Sequence, residues 1–215
     1  MAGERPWQLI VLDETDDNFA VKAGSLSYEY EDSTDSAQHR DVSEVFMHPN
    51  YNTLTLINDV ALLKLASPLN FTDAVQPVCL PQARELPDVG SYVTFTGWGS
   101  YFYYGGPLPN LLQKARAPVI PNAFCQQLLY SDLLQVSPSM FCLLQPTGYQ
   151  SSCTGDSGGP NVQETDGRWT LYGVTSWGGT CGETYFPSGK MRVSRHLDFV
   201  QRIMQENQPC GNAET

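Results

Sequence analysis

Short runs of apolar or alternating residues, separated by turn residues, constrain the fold of this chain more than any other feature. Most have the length of β-strands rather than of helices. They cover residues 19–24, 42–48, 60–65, 92–96, 112–120, 140–144, 159–163 and 169–177. Near the end, Leu197, Val200, Ile203 and Met204 follow helical spacing, and Ser194 is a candidate N-cap. The pattern predicts an all-β fold with a C-terminal helix.

Composition excludes several classes of protein. Of the 215 residues, 41% are hydrophobic and 16% are charged, so the chain can bury a core and is neither a disordered chain nor a coiled coil. Lys and Arg number 12 against 23 Asp and Glu, which gives a net charge of −11. This charge argues against unaided binding to nucleic acid or to an anionic membrane face. No window approaches the roughly 18–20 apolar residues of a membrane span.

Two local clusters each have two interpretations. The acidic stretch at residues 13–17 is either a cation site or, as we expect, a solvated loop. The aromatic stretch at residues 101–104 is either a recognition patch or, as we expect, a partly packed surface loop.

The cysteines and the start of the chain give conflicting indications of the cellular compartment. Six cysteines, at positions 79, 125, 142, 153, 181 and 210, predict disulfides and an oxidising compartment, with buried free thiols as the alternative. None forms the C-x-x-C pair typical of zinc sites. One N-glycosylation sequon begins at Asn70. However, the longest apolar run near the start is Leu9 to Leu12, whereas a secretory signal needs roughly 7–15 apolar residues.

The sharpest motif is the octet Cys153-Thr154-Gly155-Asp156-Ser157-Gly158-Gly159-Pro160. A serine flanked by glycines can sit on a tight turn with its hydroxyl exposed. The N–H groups of Gly155 and Ser157 can then point to one spot and hold a developing oxyanion. The octet therefore predicts nucleophilic chemistry at Ser157.

This octet resembles that of the trypsin/chymotrypsin-like serine protease family, and four further motifs follow the order and spacing of that family. They are Asn58-Asp59-Val60-Ala61-Leu62-Leu63-Lys64-Leu65, Val78-Cys79-Leu80-Pro81, Thr96-Gly97-Trp98-Gly99 and Ser176-Trp177-Gly178. The resemblance covers most of the chain, from residue 19 to residue 206. It implies two antiparallel β-barrels with the site between them, and no metal or other cofactor.

The resemblance also implies the roles of four residues at the site. Ser157 is the expected nucleophile, and Asp59 is expected to orient a catalytic His. Gly155 and Ser157 are expected to form the oxyanion hole. Asp156 resembles the acid that pairs with a new α-amino group after zymogen cleavage.

The chain departs from the family where the catalytic His is expected. Its three histidines are His39, His48 and His196, and none stands in the Ala-Ala-His-Cys context of the family. Pro6-Trp7-Gln8 resembles the start of the family domain, and residues 17–25 resemble the stretch just after the His, so the segment between them is missing. An Ile-Val-Gly-Gly-like N-terminus is missing too. We therefore expect a first barrel with unpaired edges and negligible hydrolysis.

Four cysteines have partners implied by the resemblance. Cys125 is expected to pair with Cys142, and Cys153 with Cys181. Cys79 resembles a cysteine that often tethers a propeptide. Cys210 is the only other candidate partner for it.

The resemblance further implies a primary specificity pocket. By position, Ser151 lies at its base and Gly178 and Ser188 lie on its walls, beside Ser176 and Trp177. Because Ser151 carries no negative charge, we expect the pocket to prefer an apolar P1 side chain such as Leu, Phe or Met over Lys or Arg.

The expected domain organisation is an atypical N-terminal segment at 1–17, a partial first barrel at 18–85, a second barrel with the C-terminal helix at 86–208, and a tail at 209–215. The predicted function is that of a secreted, monomeric serine endopeptidase that meets polypeptide substrates or protease inhibitors, without nucleic-acid or membrane partners. One alternative is a non-catalytic protease homologue that acts as a binding or regulatory module. Another is a non-functional product that folds poorly.

Overall fold

The computed structural model describes residues 9–15, 18–29, 36–102, 105–129, 134–147 and 151–207. Most of its regular structure is antiparallel β-sheet. The strands are β1 (Leu9–Thr15), β2 (Asn18–Ala23), β3 (Gln38–Met47), β4 (Ala61–Leu65), β5 (Tyr92–Gly97), β6 (Gln113–Ile120), β7 (Met140–Leu143), β8 (Pro160–Thr165), β9 (Arg168–Gly178) and β10 (Ser188–Arg192). The helices are α1 (Asn122–Leu128) and α2 (Leu197–Glu206). The predicted all-β fold with a C-terminal helix is confirmed, although α1 was not predicted.

The last six strands form a closed barrel in the order β10-β7-β6-β5-β8-β9. Alternate residues of β5 and β6 face its interior, because successive side chains of a strand point to opposite faces. Val93 and Phe95 on β5 pack with Ala117 and Val119 on β6 in one buried cluster. The apolar alternation seen in the sequence therefore becomes the core of this second barrel.

The first four strands form an open antiparallel sheet in the order β1-β2-β3-β4, so β1 and β4 are its edges. Val45 on β3 and Leu63 on β4 are cross-strand partners, yet they are 41% and 36% exposed. Met47 on β3 is 71% exposed. A closed barrel would bury an apolar face of this kind, so the expected incomplete first barrel is confirmed.

A second buried cluster joins the segment before β4 to the closed barrel. It contains Trp177 on β9 together with Cys125, Cys142 and two methionines of the barrel. Leu56, Ile57 and Val60, from the segment before β4, pack against this cluster. The segment that carries Asp59 is therefore held against the second barrel beside β9.

The prediction that Ser194 caps α2 is wrong. α2 begins after His196, with no side-chain capping hydrogen bond. Ser194 lies in a single 3₁₀ turn at Val193–Arg195, and its hydroxyl donates to the carbonyl oxygen of Glu85 at 2.5 Å. A distant carbonyl therefore competes successfully for the hydroxyl that was expected to cap the helix.

Several predictions concern residues outside the described ranges. They include Pro6-Trp7-Gln8, the second half of the aromatic stretch (residues 103–104) and the tail at 209–215 with Cys210. Within the described part of the chain, neither helix has the length and apolar character needed to cross a bilayer.

Candidate active site

Ser157 lies at the tip of a tight turn in the loop between β7 and β8. Gly155 and Gly158, on either side of it, have φ angles of +96° and +78°, a region that residues with a Cβ rarely adopt. The N–H of Asp156 donates to the carbonyl oxygen of Cys153 at 2.9 Å and closes the preceding turn. The Ser157 side chain is exposed, as the flanking glycines predicted.

The turn is anchored to β9 by two backbone hydrogen bonds. The N–H of Gly158 donates to the carbonyl oxygen of Thr175 at 2.9 Å, and the N–H of Thr175 donates to that of Gly159 at 2.9 Å. The N–H groups of Gly155 and Ser157 donate to no acceptor within the described residues. Both N–H groups are therefore available to a ligand oxygen.

The Asp156 carboxylate turns away from Ser157 and into a cradle of glycines. Its Oδ1 accepts the N–H of Gly99 at 2.9 Å, and its Oδ2 accepts the N–H of Cys153 at 2.8 Å. A Cβ at Gly97 would lie 1.9 Å from Oδ1, and one at Gly99 would lie 2.5 Å from the carboxyl carbon. The two glycines of the Thr96-Gly97-Trp98-Gly99 motif are therefore needed for the carboxylate to fit.

A cavity of about 230 Å³ borders this carboxylate. Asp156, Gly99, Tyr101 and Lys114 are among the residues that line it. Of the residues predicted for the primary pocket, only Ser151 does so. The cavity therefore shares only Ser151 with the predicted primary pocket.

Asp59 lies beside β9, just before β4. Its Oδ2 accepts a hydrogen bond from the Ser176 hydroxyl at 2.5 Å. The structure thus brings together two residues that the sequence singled out in separate motifs. A carboxylate fixed by a hydroxyl in this way can orient an imidazole if one is supplied to it.

His196 is buried and faces the backbone of its own turn. Its Nδ1 lies 2.9 Å from the carbonyl oxygen of Arg192, and its Nε2 lies 3.2 Å from Oδ1 of Asn58. Burial lowers the pKa of His196; the Arg192 carbonyl opposes this shift, and nearby His48 adds to it. Both ring nitrogens are therefore engaged away from Asp59.

His48 and His39 are also engaged away from the nucleophile. Nδ1 of His48 accepts the N–H of Asn50 at 3.2 Å, and burial followed by the charge of Arg202 lowers the pKa of His48. His39 lies on β3, opposite Lys22 of β2. No hydrogen bond between described residues joins an imidazole to Asp59 or Ser157.

The predicted primary-pocket residues lie on two adjacent strands and one loop. Ser188 on β10 pairs with Gly178 on β9, and a Cβ added to Gly178 would lie 3.6 Å from that of Ser188. The ring of Trp177 occupies the space beside Gly189, where a Cβ would lie 1.9 Å from it. The Ser151 hydroxyl accepts the N–H of Gly182 at 2.7 Å.

Sequence reasoning missed Lys190, which is completely buried on β10. Its Nζ donates to the Ser152 hydroxyl at 2.8 Å and contacts Oγ1 of Thr175 at 3.4 Å. Burial lowers the pKa of Lys190 to about 7, and the charge of Asp156 partly opposes the shift. The sequence pattern did not predict β10, and both faces of that strand are buried, so no local signal indicated the burial of Lys190.

Both disulfides implied by the resemblance are present: Cys125–Cys142 and Cys153–Cys181. The second joins the nucleophile loop to the loop after β9. Cys79 is half buried, and its sulfur accepts a hydrogen bond from Arg168 at 3.4 Å. The suggested partner of Cys79, Cys210, lies outside the described residues.

Removing the Cys153–Cys181 disulfide with the double substitution Cys153→Ser and Cys181→Ser is expected to lower the free energy of unfolding by about 3–4 kcal/mol, because the bond closes a long loop in the unfolded chain. Its cysteines are 28 positions apart, against 17 for Cys125 and Cys142, so removing the latter bond should cost slightly less. Urea unfolding measures both. A loss below about 1 kcal/mol at Cys153–Cys181 would contradict the loop-closure argument.

Comparison with known families agrees with the fold. The family model named Trypsin matches residues 11–200, which is most of the chain. The matched range contains the open sheet, the closed barrel and the nucleophile turn. The chain therefore belongs to the trypsin family of serine proteases.

Proposed function

We propose that this chain has the site of a serine endopeptidase, with Ser157 as nucleophile and Asp59 as orienting acid, and that on its own it binds polypeptides but hydrolyses them negligibly. One observation carries the second half of the proposal. The Asp59 carboxylate is hydrogen bonded to Ser176, and each imidazole of the chain lies elsewhere. The family supports polypeptides, either substrates or protein inhibitors, as the ligands.

The physical reason for low activity is the lack of a general base. A serine hydroxyl is a weak nucleophile until a base takes its proton during attack. In this chemistry an imidazole held by the carboxylate fills that role and later protonates the leaving amine. Without it, the rate is limited to what substrate binding and the oxyanion hole supply, roughly 10³–10⁴-fold above the uncatalysed reaction.

The rest of the proposed machinery is supported by the geometry of the turn. The N–H groups of Gly155 and Ser157 have no described partner, which suits them to an oxyanion. The cradle of Asp156 fixes the backbone between them. We assign the oxyanion hole to these two N–H groups on that basis.

For the primary pocket we propose Ser151 as the base and Gly178 and Ser188 as the walls, with Ser176 and Trp177 beside them. The absence of a side chain at Gly178 leaves room for a P1 side chain, and none of the five residues is acidic. We therefore expect apolar P1 side chains to bind better than Lys or Arg.

A fluorophosphonate probe, which phosphonylates activated serines, tests the proposed inactivity. We expect labelling of Ser157 to be no faster than that of a surface serine, because nothing deprotonates its hydroxyl. The Ser157→Ala variant is the matched control, and intact mass reports the adduct. Stoichiometric labelling that Ser157→Ala abolishes would contradict the proposed inactivity and establish an active endopeptidase.

A regulatory binding module is the second candidate, and the open first sheet favours it. The apolar side chains of Val45, Met47 and Leu63 are exposed on it, and exposed apolar faces are typical of interaction sites. Such a module would capture inhibitors or partner proteases without cleavage. The two described disulfides fit the extracellular setting typical of trypsin-like domains, so we propose that the protein is secreted in either case. We also propose that it is a monomer.

A further inference from the structure

The strand pair that carries the proposed pocket walls continues into the closed barrel. Ser188 pairs with Gly178, and further along the same two strands Lys190 pairs with Thr175. The pairing shifts by one residue of β9 between Gly189 and Lys190, but β10 itself gains no residue there, so Ser188 and Lys190 still share a face of β10. Lys190 and Thr175 therefore form a layer directly below the walls of the pocket.

This layer is polar and reaches the base of the pocket. Nζ of Lys190 donates to the hydroxyl of Ser152 at 2.8 Å, and Ser152 follows Ser151 in the chain. The amide nitrogen of Asn161 donates to Oγ1 of Thr175 at 3.0 Å, whereas its buried Oδ1 has no hydrogen-bond partner among the described residues. Nζ also lies over the ring of Phe95, 5.4 Å from the ring centroid.

The positive charge in this layer is poorly compensated. Nζ is hydrogen bonded to hydroxyl groups, and no carboxylate of the described chain is bonded to it. Among the described residues, Asp156 is the charged group that favours the ammonium, and its oxygens are occupied by the N–H groups of Gly99 and Cys153. A buried ammonium in such surroundings gains strongly from an incoming anion.

We propose that Lys190 makes the primary pocket select an acidic P1 side chain, in addition to the apolar side chains that its walls accept. The P1 carboxylate passes along the wall formed by Gly178 and Ser188 and meets the ammonium beside Ser152. This inference rests on the proposed function, because it needs the pocket to bind a P1 residue. The sequence predicted apolar P1 side chains because Ser151, the expected base of the pocket, carries no charge. The burial of Lys190 behind that base was not predicted.

A reactive-loop protein inhibitor made with Leu, Glu or Gln at P1 tests the inference, because such an inhibitor binds without needing turnover. Calorimetry at pH 6, where the Lys190 ammonium is populated, compares the three forms on the full chain and on Lys190→Met. We expect the Glu form to bind at least about tenfold more tightly than the Gln form on the wild type, as suits one charge-assisted hydrogen bond. On Lys190→Met, the Gln form should bind at least as well as the Glu form.

The Leu form reports whether the pocket is intact, and it should bind Lys190→Met no more weakly than the wild type. Lys64→Met, which removes an exposed lysine of β4, is the charge-matched control and should keep the preference for Glu. Tight binding of Leu without preference for Glu over Gln would overturn the inference and leave the proposed function standing. A Glu preference that survives in Lys190→Met would also overturn it. Failure of every form to bind would overturn the proposed function itself.

Discussion

Replacing Lys190 with methionine is expected to raise the free energy of unfolding at pH 7 by a few kcal/mol. Burial lowers the pKa of Lys190 from 10.5 to about 7 in the folded protein, and each unit of such a shift corresponds to about 1.4 kcal/mol. Methionine has a similar length but carries no charge, so its burial avoids this cost. The lost hydrogen bonds to Ser152 and Thr175 offset part of the gain, by about 1 kcal/mol each.

The difference in free energy of unfolding between Lys190→Met and the wild type should depend on pH. Between pH 7 and pH 10.5 the unfolded chain holds a proton on Lys190 that the folded chain has released, so the stability of the wild type rises as pH rises through that range. Lys190→Met lacks this contribution. Its stability advantage should therefore be fully present at pH 6 and below, begin to fall near pH 7 and be clearly smaller at pH 9, as measured by urea unfolding at pH 6, 7 and 9.

The same substitution at Lys22 is the matched control, because Lys22 is also buried. Its Nζ donates to the carbonyl oxygens of Ser27 and Glu29, which methionine cannot satisfy. Lys22→Met is therefore expected to lower stability, by about 1–3 kcal/mol. If Lys190→Met also proved less stable than the wild type at pH 7, the ammonium of Lys190 would be well compensated and our account of its layer would be wrong.

Replacing Asp156 with asparagine is expected to lower the free energy of unfolding by about 2–3 kcal/mol and to loosen the nucleophile turn. The two carboxylate oxygens accept the N–H groups of Gly99 and Cys153. Asparagine replaces one of these oxygens with an NH₂ group, which cannot accept a hydrogen bond. One of the two backbone N–H groups therefore loses its charge-assisted bond and stays unsatisfied. Weaker binding of the inhibitor with Leu at P1 should accompany the loss, since the turn carries the proposed oxyanion hole.

Asp59→Asn serves as the comparison for this change. Asp59 accepts a hydrogen bond from Ser176, and the amide oxygen of asparagine can still accept it. Urea unfolding should show a loss below about 1 kcal/mol for Asp59→Asn. Equal losses in the two variants would show that the glycine cradle does not depend on the charge of Asp156.

Most strands of the closed barrel could be predicted from sequence, although β10 was not, and β5 and β6 show why. Val93 and Phe95 on β5 and Ala117 and Val119 on β6 occupy the inward positions, and period-two alternation is a local property. Helix α1 was missed because it has seven residues and buries only Cys125, which is too short a segment for a helical period to emerge.

The nucleophile turn could also be predicted, because glycines at 155 and 158 indicate a backbone with positive φ. Contacts between segments that are distant in sequence could not be predicted, because no local pattern indicates them. The hydroxyl of Ser194 bonds to Glu85 instead of capping α2, and His196 lies against Asn58. The burial of Lys190 is of the same kind, because closure of the barrel, not the local sequence, decides what its side chain faces.

The central claim is that this chain binds a polypeptide at the Ser157 site without cleaving it. A fluorescent peptide with Leu at P1, incubated with excess protein, tests both halves in one sample: anisotropy reports binding and mass spectrometry reports products. We predict a saturable rise in anisotropy, displaced by the inhibitor with Leu at P1, with the peptide intact after a day. Cleavage that depends on Ser157, or no binding at all, would contradict the account.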